Sequence, residues 1–302
     1  MITVIVAIGT IGLDTTYTPT TNVTDVLGGS AAYFSLASSF FHPTGIVGVI
    51  GTDFPEKYWK LLDSKVDLRG VQVQNGKSFR YVSKFGVELN TRTTIKTELN
   101  VLERFQPILI DEYLTAEYLY LGNIDPDHQL MVLEQAINPK LIVSDTINFW
   151  IDTKREQFMN VIAKSHILLI NNEEMRLLSG ITNPVKCSQI ALDWGVNCIV
   201  IKKGEHGALL SNRTCMFPSP AYPVAEVVDP TGAGDAFAGG FLGHIARKQL
   251  VTEQTLKEAV VYGHVMGSFV VEDFSVNRLL TLSKAEIEER FQEYLSLTSL
   301  RG

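Results

Sequence analysis

The residues best suited to chemistry lie in one stretch, Val227-Val228-Asp229-Pro230-Thr231-Gly232-Ala233-Gly234-Asp235-Ala236-Phe237-Ala238-Gly239-Gly240. A short apolar strand is expected to enter, a turn of small residues to follow, and a helix to leave. Phe237, Phe241 and Ile245 recur four residues apart and would give that helix a buried stripe. Its start then offers the backbone N–H groups of Gly232, Ala233 and Gly234, at the positive end of the helix dipole, to an anion. Glycine lets a phosphate approach the backbone closely. Asp235 decides what such a cradle is for. A carboxylate beside it would repel a passively bound phosphate. It makes sense if a hydroxyl lies between them: Asp235 accepts the hydroxyl proton while the cradle stabilises the transferring group. An ordinary acidic helix N-cap would show the same residue type.

Other chemistries fit less well. No GxxxxGK[ST] run occurs, which excludes a P-loop. Gly232, Gly234 and Gly239 loosely imitate a dinucleotide fingerprint, with Glu253 near the place of its acid. The final spacing is wrong, however, and the element lies late in the chain. A hydrolase triad has no GxSxG to start from. His42, His128, His166, His206, His244 and His264 show neither HExxH nor paired spacing, so no zinc site is expected.

Composition narrows the class further. The chain has 302 residues, 45% hydrophobic and 20% charged, which excludes a disordered or fibrous protein. Its 26 Lys and Arg against 33 Asp and Glu give a net charge of −7, so no nucleic-acid partner is expected. No apolar run of about 18 residues is present, so no membrane partner is expected either. Met1-Ile2-Thr3-Val4 places no basic residue before an apolar run, so no signal peptide is expected. Cys187, Cys198 and Cys215 are odd in number, lack CxxC spacing, and read as reduced thiols of a cytoplasmic protein.

The elements that must carry the stretch are legible as alternating apolar runs and helical patterns. Ile2–Ile8, Ile46–Ile50, Tyr118–Leu121, Leu141–Ser144, Ile167–Ile170 and Cys198–Ile201 read as strands of a parallel sheet buried on both faces. Ser283 with Glu286, Thr153 with Glu156 and Asp53 with Glu56 read as capping boxes opening helices, and Gly180 and Gly195 as helix stops. The expectation is a doubly wound, mostly parallel α/β sheet flanked by helices. Ser78–Phe85 and the Thr-rich Thr91–Thr97 break the rhythm. With a turn at Gly86 and Asn90, and with Thr15–Thr24, they predict a small accessory sheet, either a lid over one edge or a surface hairpin.

The stretch Asp229–Asp235 resembles the C-terminal signature of the PfkB, or ribokinase-like, carbohydrate kinases, with Pro230 where Thr is usual. Asn171-Asn172-Glu173-Glu174 resembles their Asn-x-x-Glu element, and Ile199–Gly207 their strand and glycine loop beside the nucleotide. Gly9–Asp14 and Gly28-Gly29-Ser30-Ala31-Ala32 are similar to their N-terminal elements, with Tyr33 where Asn is common. The resemblance implies one ribokinase-like domain over 1–302, with a β lid from about 13–25 and 77–98. It implies transfer of the γ-phosphate of ATP to a hydroxyl of a small sugar, with Asp235 as base and Gly232, Ala233 and Gly234 as anion hole. Asp14, Gly28, Gly29, Tyr33 and Asn123 would bind substrate, Tyr33 by stacking on a ring unless it packs in the core. Asn171, Lys202, Gly204 and Gly207 would bind the nucleotide, and Glu174 would hold Mg²⁺ through water. Asp229 and Thr231 are candidates for a monovalent cation, K⁺. Asn123, Asp125 and Asp145 stand at strand ends, where open α/β sheets bind ligands or where plain loop caps occur. A nucleoside kinase of the same family is the nearer alternative, a catalytically silent sugar-binding regulator the more distant one. An exposed lid edge invites a homodimer.

Overall fold

The computed structural model describes residues 4–86, 89 and 92–299. Ile2 and Thr3 of the first expected strand, Asn90 of the expected turn and Thr91 lie outside them. The strands are β1 (Ile5–Ile8), β2 (Gly12–Tyr17), β3 (Asn22–Gly28), β4 (Thr44–Gly51), β5 (Asp67–Gln74), β6 (Phe79–Phe85), β7 (Arg92–Glu98), β8 (Tyr118–Leu121), β9 (Leu141–Ser144), β10 (Ile167–Asn171), β11 (Cys198–Lys202), β12 (Ala208–Asn212) and β13 (Met216–Ser219).

Nine of them form one sheet in the order β13-β12-β11-β10-β9-β8-β1-β4-β5. Pairing is parallel from β11 across to β5 and antiparallel only at β11–β12 and β12–β13. The continuous apolar runs reflect burial on both faces. Val6 and Ile8 point into one helical layer, with Leu168, Ile170, Phe158 and Met175. Ile5 and Ala7 point into the other, with Leu169, Val200, Phe237 and Phe241. The stripe Phe237, Phe241, Ile245 therefore lays the helix Ala233–Lys248 against the sheet. The strand order reverses at β1, between β4 and β8, so ligands belong at the carboxyl ends of the central strands.

The second sheet has the order β3-β2-β6-β7. Thr15–Thr24 is not one extended piece. It folds back between Thr18 and Thr21, where Thr18 N donates to Thr21 O at 3.0 Å and the Thr18 hydroxyl donates to the same oxygen at 2.8 Å. Strand pairing therefore starts and ends slightly outside the expected 13–25, at Gly12 and Gly28.

One of the three expected capping boxes forms. Ser283 Oγ accepts from Glu286 N at 3.2 Å, and Ser283 N donates to Glu286 Oε2 at 2.9 Å. Thr153 does not cap, because it is the last residue of the preceding helix Asn148–Thr153, where its hydroxyl donates back to Phe149 O. Asp53 does not cap because Ser78, just before β6, and Arg80 of β6 take both its carboxylate oxygens.

Candidate active site

The helix Ala233–Lys248 is capped by Gly232 at φ 80° and ψ −5°. Asp235 is thus the third residue of the helix and not its N-cap. No strand enters at Val227–Val228: with Pro223 and Pro230 on either side the segment is irregular, tied down where Val228 N donates to Val271 O at 2.8 Å. Ala233 N donates to Pro230 O at 3.3 Å, so part of its capacity is used locally. The N–H groups of Gly232, Gly234 and Asp235 have no backbone partner among the described residues. The cradle is open for an anion, with the N–H of Asp235 in place of that of Ala233 among the expected three.

A buried ion pair stands beside it. Lys202, at the end of β11, extends its Nζ to 2.5 Å from Asp145 Oδ2, after β9. The same ammonium lies 3.4 Å from where a Cβ on Gly234 would be. Asp145 is also held by Thr146 N at 2.8 Å. Burial pushes its carboxyl up and Lys202 opposes that rise. Burial first, then the charge of Asp145, pushes the carboxyl of Asp235 up to about 7. The Tyr120 hydroxyl, from β8, donates to Asp145 and lies within reach of Asp235.

Asn171 and Glu174 form a capping box at the start of the helix Asn172–Ser179. Asn171 Oδ1 accepts from Glu174 N at 2.8 Å, and Glu174 Oε2 accepts from Asn171 N at 2.9 Å. The local sequence thus has a structural use, and it still leaves one carboxylate oxygen of Glu174 uncommitted. Burial, then Asp145, pushes Glu174 up to about 8. No cluster of three or more His, Cys, Asp or Glu is placed to hold a metal among the described residues. Such a sparse donor set fits Mg²⁺, which retains waters and phosphate oxygens. Asp229 Oδ1 accepts from Thr231 N at 2.9 Å, and the buried Thr231 Oγ1, close enough to the same carboxylate to favour its ionised form, makes no hydrogen bond of good geometry among the described residues. A buried acceptor left over beside a buried carboxylate fits a cation.

The other expected residues are placed as follows. Asp14 of β2 is 5% exposed and lies over Gly28, where any Cβ would meet its Oδ2 at 2.0 Å. Burial, then Asp229, pushes Asp14 up to about 7. Gly29, at φ 99°, opens the helix Ser30–Ser38, in which the Tyr33 ring packs against Gly232. Asn123 is not available through its amide oxygen, which accepts from Trp150 Nε1 at 3.1 Å. Asp125 caps the helix Pro126–Gln135 and pairs with Lys154. Gly204 and Gly207 make the turn between β11 and β12, closed by Lys203 N donating to Gly207 O at 2.8 Å.

Arg92 was not legible as a site residue. It stands at the start of β7, its guanidinium 5.6 Å from the centre of the Tyr81 ring. From there its charge reaches Asp14, Glu174, Asp229 and Asp235, on whose carboxyls it exerts a lowering influence. Nothing in its local sequence signals this, since only the fold of the second sheet brings its charge within reach of these acids.

Residues 12–281 match the family described as "pfkB family carbohydrate kinase". The chain is 29% identical to a cytidine kinase of Thermococcus kodakarensis over 82% of its own length and 91% of that protein's. It superposes with a TM-score of 0.79 on an E. coli protein described as a putative ribokinase II in complex with ATP and Mg²⁺, at 21% identity, covering 96% of this chain and 99% of that one. A Burkholderia thailandensis nucleoside kinase in complex with inosine superposes at 0.78, with 18% identity and coverage of 97% and 99%.

Proposed function

The chain belongs to the pfkB family of carbohydrate kinases, phosphotransferases with an alcohol group as acceptor, and from that premise we propose how its own residues carry the reaction. The acceptor hydroxyl lies between Asp235 and the γ-phosphate of ATP. Its oxygen attacks phosphorus, its proton passes to the Asp235 carboxylate, the β–γ bridging P–O bond breaks, and ADP leaves. The open N–H groups at the start of the helix Ala233–Lys248 receive charge on the transferring phosphoryl group, and Lys202 adds its ammonium beside them. Mg²⁺, when bound, neutralises phosphate charge; Glu174 would hold it through water beside Asn171. Asp229 and Thr231 would hold a monovalent cation such as K⁺. The observation that carries this reading is the juxtaposition of Asp235, Lys202 and unsatisfied helix-start donors at one sheet edge.

The acceptor we infer is the pentose of a nucleoside, on the strength of the likeness to a cytidine kinase along most of both chains. Asp14, over Gly28, would grip its hydroxyls. The test is ADP release from ATP and Mg²⁺ with cytidine, other nucleosides and free sugars. Turnover at roughly 1–100 s⁻¹ on one of them is expected. Binding by calorimetry without ADP release from any would show a silent regulator instead. A cytoplasmic location and a homodimer through the edge of the second sheet remain part of the same reading. No helix among the described residues is long and apolar enough to cross a membrane.

Arg92 gives a separate prediction. Its positive charge favours the ionised forms of the acids it faces, so removing it raises their pKa values. Arg92→Gln is therefore expected to lower kcat about tenfold and to move the acidic limb of the kcat/KM profile to higher pH. A limb that stays in place would show that Arg92 does not face the reacting groups.

A further inference from the structure

Gln129 is fully buried on the helix Pro126–Gln135, although glutamine is ordinarily a surface residue. Its amide nitrogen is engaged on every side. Nε2 donates to Gly122 O at 2.7 Å, to Asp145 O at 3.1 Å and to Leu121 O at 3.2 Å, sharing its two hydrogens among them. Its Oε1 is buried and makes no hydrogen bond among the described residues. Three carbonyls around one atom fix which way the amide faces, because an oxygen in that place would be repelled by all three. An acceptor left unpaired costs free energy that an apolar side chain of the same length would not. The amide is therefore there for its donors.

Those carbonyls mark where two central strands end. Leu121 and Ser144 are the last paired residues of β8 and β9. Just past them, Asp145 N donates to Leu121 O at 2.8 Å, and Gln129 takes Asp145 O. Both peptide groups flanking Asp145 are thus held, and with them the origin of its side chain. That side chain receives Lys202 Nζ at 2.5 Å, and the same ammonium lies 3.4 Å from where a Cβ on Gly234 would be. The other anchor is equally fixed. Gly122 N donates to Ile8 O at 2.8 Å, and Asn123 O accepts from Ser30 Oγ at 2.9 Å, at the start of the helix Ser30–Ser38.

We propose that Gln129 is a positioning residue of the phosphoryl-transfer site: it locks the ends of β8 and β9 together, so that Asp145 delivers Lys202 to the open helix-start donors. It acts through Asp145 and needs no contact with ATP or acceptor. Misplacing a charged group by about 1 Å can cost about 10²-fold in rate, so a brace on the backbone of Asp145 has leverage on turnover. The inference rests on the kinase reading above and names what holds the cation of that site in place.

The test is a double-mutant cycle between Gln129→Met and Asp145→Asn. Methionine keeps the length of the side chain and removes both donors. ADP release is followed with ATP and Mg²⁺, using whichever of cytidine, inosine, ribose and 2-deoxyribose wild type phosphorylates fastest. Gln129→Met is expected to lower kcat about tenfold to a hundredfold and to move KM for the acceptor less than about threefold. Added to Asp145→Asn, it should lower kcat less than about threefold further, because the group it acts through is already lost. Val132→Ala, which opens a cavity under the same helix, should lower the melting temperature and keep kcat within about threefold of wild type. Losses that multiply in the double variant overturn the proposal and leave the kinase reading standing. So does a kcat for Gln129→Met within about threefold of wild type, or an equal loss of kcat in Val132→Ala. If Gln129→Met does not fold, Gln129→Glu enters the same cycle under the same criteria. Burial keeps that carboxyl neutral, with one O–H in place of two N–H, and a loss of about tenfold in kcat is expected. Phosphorylation of none of the four acceptors by wild type would instead overturn the kinase reading, and this inference with it.

Discussion

Asp235→Asn is expected to lower kcat by about 10²–10⁴-fold while the protein stays folded, because the amide has the same shape and cannot take the acceptor proton. The loss should fall on kcat far more than on KM, since Asp235 is needed once the acceptor oxygen begins to bond to phosphorus. The pH profile supplies a second check. A carboxylate acts as a base only when ionised, and burial and Asp145 push this one up to about 7. The value of kcat/KM for wild type should therefore rise with pH through the range near 7, where Asp14 ionises as well. Asp235→Asn should show a shallower rise, because one of the two ionising carboxyls is gone. A variant within about threefold of wild-type turnover would remove Asp235 from the role of base, whatever its position.

The same residue marks where reading the sequence worked and where it had to stop. The Gly-Ala-Gly-Asp stretch was informative because its chemistry is local. A glycine turn opening a helix exposes N–H groups wherever it occurs, and the four-residue spacing of Phe237, Phe241 and Ile245 fixes which side of that helix is buried. Strands such as Tyr118–Leu121 and Leu141–Ser144 were legible to the residue because a run buried on both faces has no polar alternation to blur its ends. β5 and β13 gave weaker signals, being edge strands with mixed exposure. Thr153 and Asp53 show how a short motif misleads. Each has the right partner three residues on, but one is consumed by the helix before it and the other by strands of a different sheet. Arg92 was beyond reach for a related reason. The acids its charge reaches, Asp14, Glu174, Asp229 and Asp235, are brought near it only by the meeting of distant segments, and no local pattern encodes that.

Gly232→Ala tests the cradle itself and should be the most damaging substitution outside Asp235. Two penalties coincide there. The φ of 80° is one that residues with a Cβ adopt only under strain, at a cost of roughly 1–2 kcal/mol. The new methyl would also stand 2.4 Å from the Tyr33 ring, which belongs to a buried apolar cluster. The backbone must then move, and it is this backbone that aims the N–H groups at the transferring phosphoryl. Losing the alignment of one such donor costs about 10²–10³ in kcat, so a fall of at least that size is expected. Gly180→Ala separates the two effects. Gly180 has a φ of 72°, and a Cβ there meets nothing within 4 Å. It ends the helix Asn172–Ser179, and the change should lower the melting temperature by a few degrees while leaving kcat nearly unchanged. If Gly232→Ala behaved like Gly180→Ala, losing stability but keeping turnover, the helix-start donors would not be where the phosphoryl charge is received. Asp235 would then need another partner at the opposite end of the transferred group, and Lys202, paired with Asp145 at 2.5 Å and next to Gly234, is a cation that the parallel strands deliver to that edge.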